Sequence, residues 1–177
     1  CAFEQLQDQG KVKHFGVSNM MATQLSLLQQ ALPMPLVCNQ LEISLSHLDW
    51  LEQAVTANCD DASSSGLIAT TLSYCQLNNI EVQAWRCLSQ GLFTGRSTDS
   101  EPARIQNTAR LVSELADKYQ TSREAIVLGF ITRHPAAISP VIGTTNPTRI
   151  KACALAIELT REDWYRLFES ARGGEIP

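Results

Sequence analysis

Residues 138–150 read ISPVIGTTNPTRI. An apolar run at 138–142 leads through Gly143, Thr144 and Thr145 into a helix start that carries Arg149 in its first turn. Exposed amides and hydroxyls at a helix amino terminus, with a guanidinium nearby, are an arrangement that holds phosphate. The same order of strand then helix recurs upstream. Residues 12–17, 36–43 and 80–85 are short β-rich runs. The stretch 22–31 leads with Leu25, Leu28 and Leu32 at helical spacing, and 105–119 sets Leu111, Val112, Leu115 and Tyr119 on one face. Strand then helix, repeated, predicts a parallel α/β sheet.

Helix punctuation agrees with this reading. Thr121 with Glu124, and Thr160 with Asp163, have capping spacing, and the helix over 161–171 is expected to stop at Gly173-Gly174. Residues 58–66, NCDDASSSG, have loop composition and are expected to be an insertion in the second crossover, leaving residues 1–177 as one domain. Four βα units make either half of a (β/α)8 barrel or most of a small doubly wound sheet. The dinucleotide fingerprint G-x-G-x-x-G is absent, so a Rossmann domain has no local support.

Composition narrows the function classes. The chain has 177 residues, 44% of them hydrophobic, enough to bury a core, and its net charge of −4 offers no basic field for a nucleic acid. No apolar run approaches the roughly 20 residues of a membrane span. The six cysteines lack C-x-x-C spacing, and His14, His47 and His134 stand alone, so no metal site is expected. A cytoplasmic protein is expected. Cys1 rather than Met at the start, with residues 2–9 reading as the end of an amphipathic helix, predicts a chain that begins inside an element and is truncated.

In a barrel, chemistry sits at the carboxyl ends of the strands. Those ends carry Ser18 and Asn19, Asn39 and Gln40, and Trp85, Arg86 and Leu88. A turn after a strand favours Ser18 and Asn19 on its own, core packing suits Trp85, and a solvated helix position suits Arg149. Tyr74 and Tyr119 read as packing residues on helical faces, Lys11 and Lys13 as solvated charges, and Trp50 and Trp164 as core.

Taken together and in order, GKVKHFGVSN (10–19), CNQLEIS (38–44), VQAWRCL (82–88) and VIGTTNPTRI (141–150) resemble the last four strand motifs of the aldo-keto reductases. ELTREDWYRLFESARG (158–173) is also similar to that family, particularly to its single-domain bacterial members. The resemblance covers nearly the whole chain. It implies the carboxy-terminal half of a (β/α)8 TIM barrel and an oxidoreductase that uses NADPH to reduce aldehydes and ketones.

By the same resemblance, Ser18, Asn19 and Gln40 hydrogen-bond the nicotinamide carboxamide, which needs both a donor and an acceptor to fix the ring face presented. Trp85 corresponds to the aromatic stacked on the nicotinamide, and Leu88 lies near the pyrophosphate. Gly143, Thr144, Thr145 and Arg149 match the adenosine-phosphate end, where a guanidinium pairs with a 2′-phosphate. Departures accompany the match. Arg86 stands where the family commonly has Ser, and is counted with the cofactor-binding set. Gly143 replaces a common Lys, and Ala152 and Cys153 replace Glu and Asn. The family's catalytic Tyr, Lys, Asp and His come from the first four strands, so no catalytic residue is expected here, and the chain alone is expected to be inactive. The competing expectation is a nucleotide-binding or interaction module without catalysis, with self-association through the open half-barrel.

Overall fold

The computed structural model describes residues 2–56, 67–155 and 157–177. The expected loop insertion at 58–66 lies outside the described residues. Four strands form one sheet in the order β1-β2-β3-β4: β1 Phe15–Ser18, β2 Leu36–Glu42, β3 Glu81–Trp85 and β4 Ser139–Pro140. The sheet is parallel, as the strand-then-helix order predicts, and is consistent with half a barrel. The described chain divides into two compact units, one of Cys1–Leu41 with Asp49–Gln83, the other of Glu42–Leu48 with Ala84–Pro177.

In the first unit, β1 pairs β2 with Gly16 opposite Cys38, Val17 opposite Asn39 and Ser18 opposite Gln40. A Cβ at Gly16 would lie 2.3 Å from the Cys38 Sγ and 3.1 Å from its carbonyl oxygen, so a larger residue there would require Cys38 to shift. β1 begins at Phe15, later than residue 12. The amides of Lys11 and Val12 return to the Leu6 carbonyl and close the helix α1 (Ala2–Asp8), so they cannot join the ladder. Phe3 of α1 stacks on Phe15 at 4.5 Å. The helix α2 (Ala22–Gln30) buries Leu25, and its Ala22 N–H donates to Thr71 Oγ1 (3.0 Å) on α4 (Leu67–Leu77). α3 (Asp49–Thr56) precedes α4 and buries Trp50 and Leu51. α4 ends in a left-handed Asn79, with Ile80 N–H returning to the Cys75 carbonyl. That cap is why β3 starts at Glu81 rather than at residue 80.

The second unit holds α5 (Ala103–Lys118), α6 (Arg123–Thr132), α7 (Pro147–Cys153) and α8 (Arg161–Arg172), with α5 packed on α6 and α8, and α6 on α7 and β4. Residues 125–131 of α6 are all buried, the pattern of a helix covered on every side. α5 and α8 pack through Val112, Leu115, Leu167 and Phe168, each contributing about 1.5–3 kcal/mol by burial. α6 is capped by Ser122, whose Oγ accepts from Ala125 N–H (3.0 Å), and not by Thr121. Thr121 N–H is already bonded to the Ala116 carbonyl at the end of α5, so it takes no return bond from a capping-box side chain. β4 is shorter than 138–142 because Pro140 has no N–H for the ladder; only Val141 N–H continues the pairing, to the Ala84 carbonyl (2.9 Å).

The expected cap of α8 is present. Thr160 Oγ1 accepts from Asp163 N–H (3.2 Å), and Gly173 closes the helix with φ 85°. Asp163 is buried and receives Lys118 Nζ (2.7 Å), Tyr119 Oη (2.6 Å), Thr160 Oγ1 (3.0 Å) and Arg166 Nη1 (3.1 Å). Burial opposes its charge, but these four donors hold the carboxyl well below the usual carboxylate range. Tyr119 therefore does more than pack: its hydroxyl ties α5 to the start of α8. Trp164 is half-buried, stacked on Phe130 at 5.0 Å, and donates to the Phe130 carbonyl (2.8 Å).

Candidate functional site

The first unit gathers Ser18, Asn19 and Gln40 at the carboxyl ends of β1 and β2. Ser18 Oγ donates to the Gln40 carbonyl (3.2 Å), and Asn19 N–H donates to the same oxygen (2.8 Å). Asn19 has φ 56°, a left-handed turn that Asn tolerates, and both its side chain and that of Ser18 are exposed. The turn rests on Asn39, which is fully buried: its Nδ2 donates to the Met20 carbonyl (2.8 Å) and its Oδ1 accepts from Met20 N–H (3.5 Å). Gln40 Nε2 donates to Gln83 Oε1 (2.8 Å). The grouping so built offers a hydroxyl, two carboxamides and a rigid backbone, suited to a ligand amide that both donates and accepts.

Asn39 was visible in the sequence only as part of a polar strand end, and Gln83 was not singled out there at all. The available signal was alternation: Gln83 is a polar residue inside a strand whose neighbours Val82 and Ala84 are buried.

The second unit carries the other expected residues. Trp85 is half-buried at the end of β3, and Leu88 is buried in the turn that follows. That turn holds three non-glycine residues at positive φ, Arg86 (56°), Ser89 (49°) and Gln90 (54°), before Gly91 at 83°. Such backbone strain clusters where function fixes a loop. Arg86 Nη1 donates to Glu42 Oε1 (3.1 Å) at the end of β2, and Ser46 Oγ donates to Ser89 Oγ (2.9 Å). Glu42, Ser46, His47, Arg86, Ser89 and Gln90 border a polar cavity of about 240 Å³.

Beyond β4, Gly143 and Thr145 are exposed and Thr144 is half-buried. Thr144 Oγ1 accepts from Asn146 N–H (3.2 Å). Asn146 Oδ1 in turn accepts from Thr148 N–H (2.9 Å) and Arg149 N–H (3.4 Å). Two amides at the start of α7 are thus satisfied within the chain. Arg149 lies over the turn after β3: its Nη2 donates to Thr94 Oγ1 (2.8 Å), and a Cβ on Gly91 would sit 3.8 Å from that nitrogen. Its Nε donates to Glu124 Oε1 (3.2 Å). Glu124, expected to close a capping box with Thr121, is the ion-pair partner of Arg149 instead. Helical spacing points to caps within a turn and carries no signal for a partner 25 residues away.

Burial raises the thiols of Cys38, Cys75 and Cys153, and that of Cys87 to about 11, so none of these is an activated nucleophile. His134 is pushed down by burial, and its Nδ1 accepts from Ala136 N–H (3.2 Å). Among the described residues no group of three His, Cys, Asp or Glu could hold a metal, and no helix is long and apolar enough to cross a membrane. The trio Tyr119, Lys118 and Asp163 has the residue types of a carbonyl-reducing acid, but the Tyr119 hydroxyl is committed to Asp163 and to Thr160 N–H (3.0 Å) at a helix cap. A separate apolar groove of about 660 Å³, bordered by Leu128, Ile142, Ile150, Leu155 and Ile157, contains none of the expected site residues.

The family model described as aldo/keto reductase matches residues 1–171. An uncharacterized oxidoreductase of Bacillus subtilis (strain 168), YcsN, is 32% identical over 99% of this chain and 53% of its own length. A 6-dehydroglucose reductase of Agrobacterium fabrum is 33% identical, over 99% of this chain and 52% of its own. The chain thus spans about half the length of the curated relatives it matches. Among solved structures, the thermostable aldo-keto reductase Tm1743, crystallised with the inhibitor epalrestat, shares the fold with a TM-score of 0.71 at 19% identity, over 96% of this chain and 52% of that one.

Proposed function

Because this chain belongs to the aldo/keto reductase family, we propose that it holds the cofactor of an NADPH-dependent oxidoreductase that reduces aldehydes or ketones by hydride transfer. The observation that supports this most is the grouping of Ser18, Asn19 and Gln40 around one carbonyl at the ends of β1 and β2. In this proposal the nicotinamide supplies the hydride. The three side chains grip its carboxamide and so select the ring face presented. Trp85 stacks on the ring, Leu88 and Arg86 border the pyrophosphate, and Gly143, Thr144, Thr145 and Arg149 meet the adenosine phosphate. The chain contributes binding and orientation, and no acid for the carbonyl oxygen; alone it does not turn over. A cytoplasmic setting belongs to the same proposal, supported by the free thiols of Cys38, Cys75, Cys87 and Cys153.

Titration with NADPH tests this reading through quenching of tryptophan fluorescence. Trp50 is buried and Trp164 is stacked on Phe130, so Trp85→Phe identifies the reporting ring. Quenching with a Kd below about 1 mM, lost in Trp85→Phe and weakened by Gln40→Ala, is expected. No quenching at that concentration contradicts the proposal, as does carbonyl reduction by the isolated chain for its inactivity.

A second reading, an interaction module without catalysis that self-associates, is favoured by one observation. The apolar groove beside α6 and α7 leaves Ile150 and Leu155 exposed.

A further inference from the structure

The guanidinium of Arg149 is already held on two sides. Nε reaches Glu124 Oε1 (3.2 Å), and Nη2 reaches Thr94 Oγ1 (2.8 Å). These two nitrogens form one edge of the planar fork, the kind of edge that meets a phosphate through two parallel hydrogen bonds. Glu124 is well anchored. Its side chain is only 12% exposed, and it is the second residue of α6, where the helix dipole favours a carboxylate. A phosphate arriving at Arg149 therefore meets a compensated charge, finds the Nε/Nη2 edge occupied, and faces a neighbouring anion.

We propose that Glu124 is a cofactor-selectivity residue: by occupying Arg149, it weakens recognition of the 2′-phosphate and lets the chain accept NADH nearly as well as NADPH. This rests on the reading that Arg149 lies at the adenosine-phosphate end. The composition of the segment fits, since Gly143 brings no second cation to the turn before α7. Glu124 is bonded to Arg149, the residue assigned to the adenosine-phosphate end, so its effect is expected through the group by which the two cofactors differ.

Fluorescence titrations of the full chain and of Glu124→Gln, Glu124→Ala and Glu124→Gln/Arg149→Ala, each with NADPH and NADH, test the idea. In the native chain the two affinities are expected to lie within a few-fold. Removing the carboxylate should tighten NADPH by roughly tenfold, leave NADH unchanged, and lose its effect when Arg149 is also replaced. Far-ultraviolet circular dichroism shows that each variant is folded. An unchanged or weakened NADPH affinity in both folded Glu124 variants overturns the inference while leaving cofactor binding intact. Failure of every protein, native included, to bind either nucleotide overturns the cofactor reading and this inference with it.

Discussion

Single residues here act through what holds them. Asp163 is the clearest case, a buried carboxylate whose four donors come from α5, α8 and the cap between them. Its folded carboxyl titrates below its ordinary value of 3.8, so its contribution is complete above that value and is lost as pH falls through the folded one. Asp163→Asn should cost about 3 kcal/mol at pH 7. The melting temperatures of native and variant chains should then converge as the pH drops below about 4. A constant gap down to pH 2 would show that the charge is not what stabilises the cap. The site residues were legible to very different degrees. Ser18, Asn19 and Gln40 stand in short motifs at strand ends, and the structure brings them together. Arg86 and Arg149 were also legible as cations, but Glu42 and Glu124, their partners 44 and 25 residues away, were not, because ion pairing between distant segments leaves no periodic trace.

At the scale of elements, the order of strands and helices was readable from hydrophobic period, and the boundaries moved for reasons of hydrogen bonding. β1 and β3 start late because the preceding helices claim the first amides for their caps, and β4 stops at a proline. The cap of α6 lies at Ser122 rather than Thr121, whose amide is bonded to the end of α5. The groove beside α6 and α7 could not be read from sequence at all. Leu128, Ile142, Ile150 and Ile157 look like ordinary core positions until packing leaves them on one concave surface. If that groove drives self-association, light scattering should show a dimer or larger species at tens of micromolar chain, a range set by ordinary interface energies. Ile150→Glu, at an exposed position, should return a folded monomer. A native chain that is monodisperse and monomeric at those concentrations rules this use of the groove out.

For the whole molecule, the parallel sheet and the family follow from four motifs in a fixed order, which no single motif establishes. Strand ends present polar side chains, and the buried Asn39 and the Gln40–Gln83 contact make the first of those ends rigid. In the proposed function this end grips a nicotinamide carboxamide. Amide chemical-shift mapping of the 15N-labelled chain during titration with nicotinamide mononucleotide examines it most directly, since that ligand lacks the adenosine end and cannot report on Arg149. Perturbations centred on Ser18, Asn19, Gln40 and the side-chain amide of Gln83 are expected. Shifts confined to Leu128, Ile150 and their neighbours, or no shifts at saturating ligand, would contradict it.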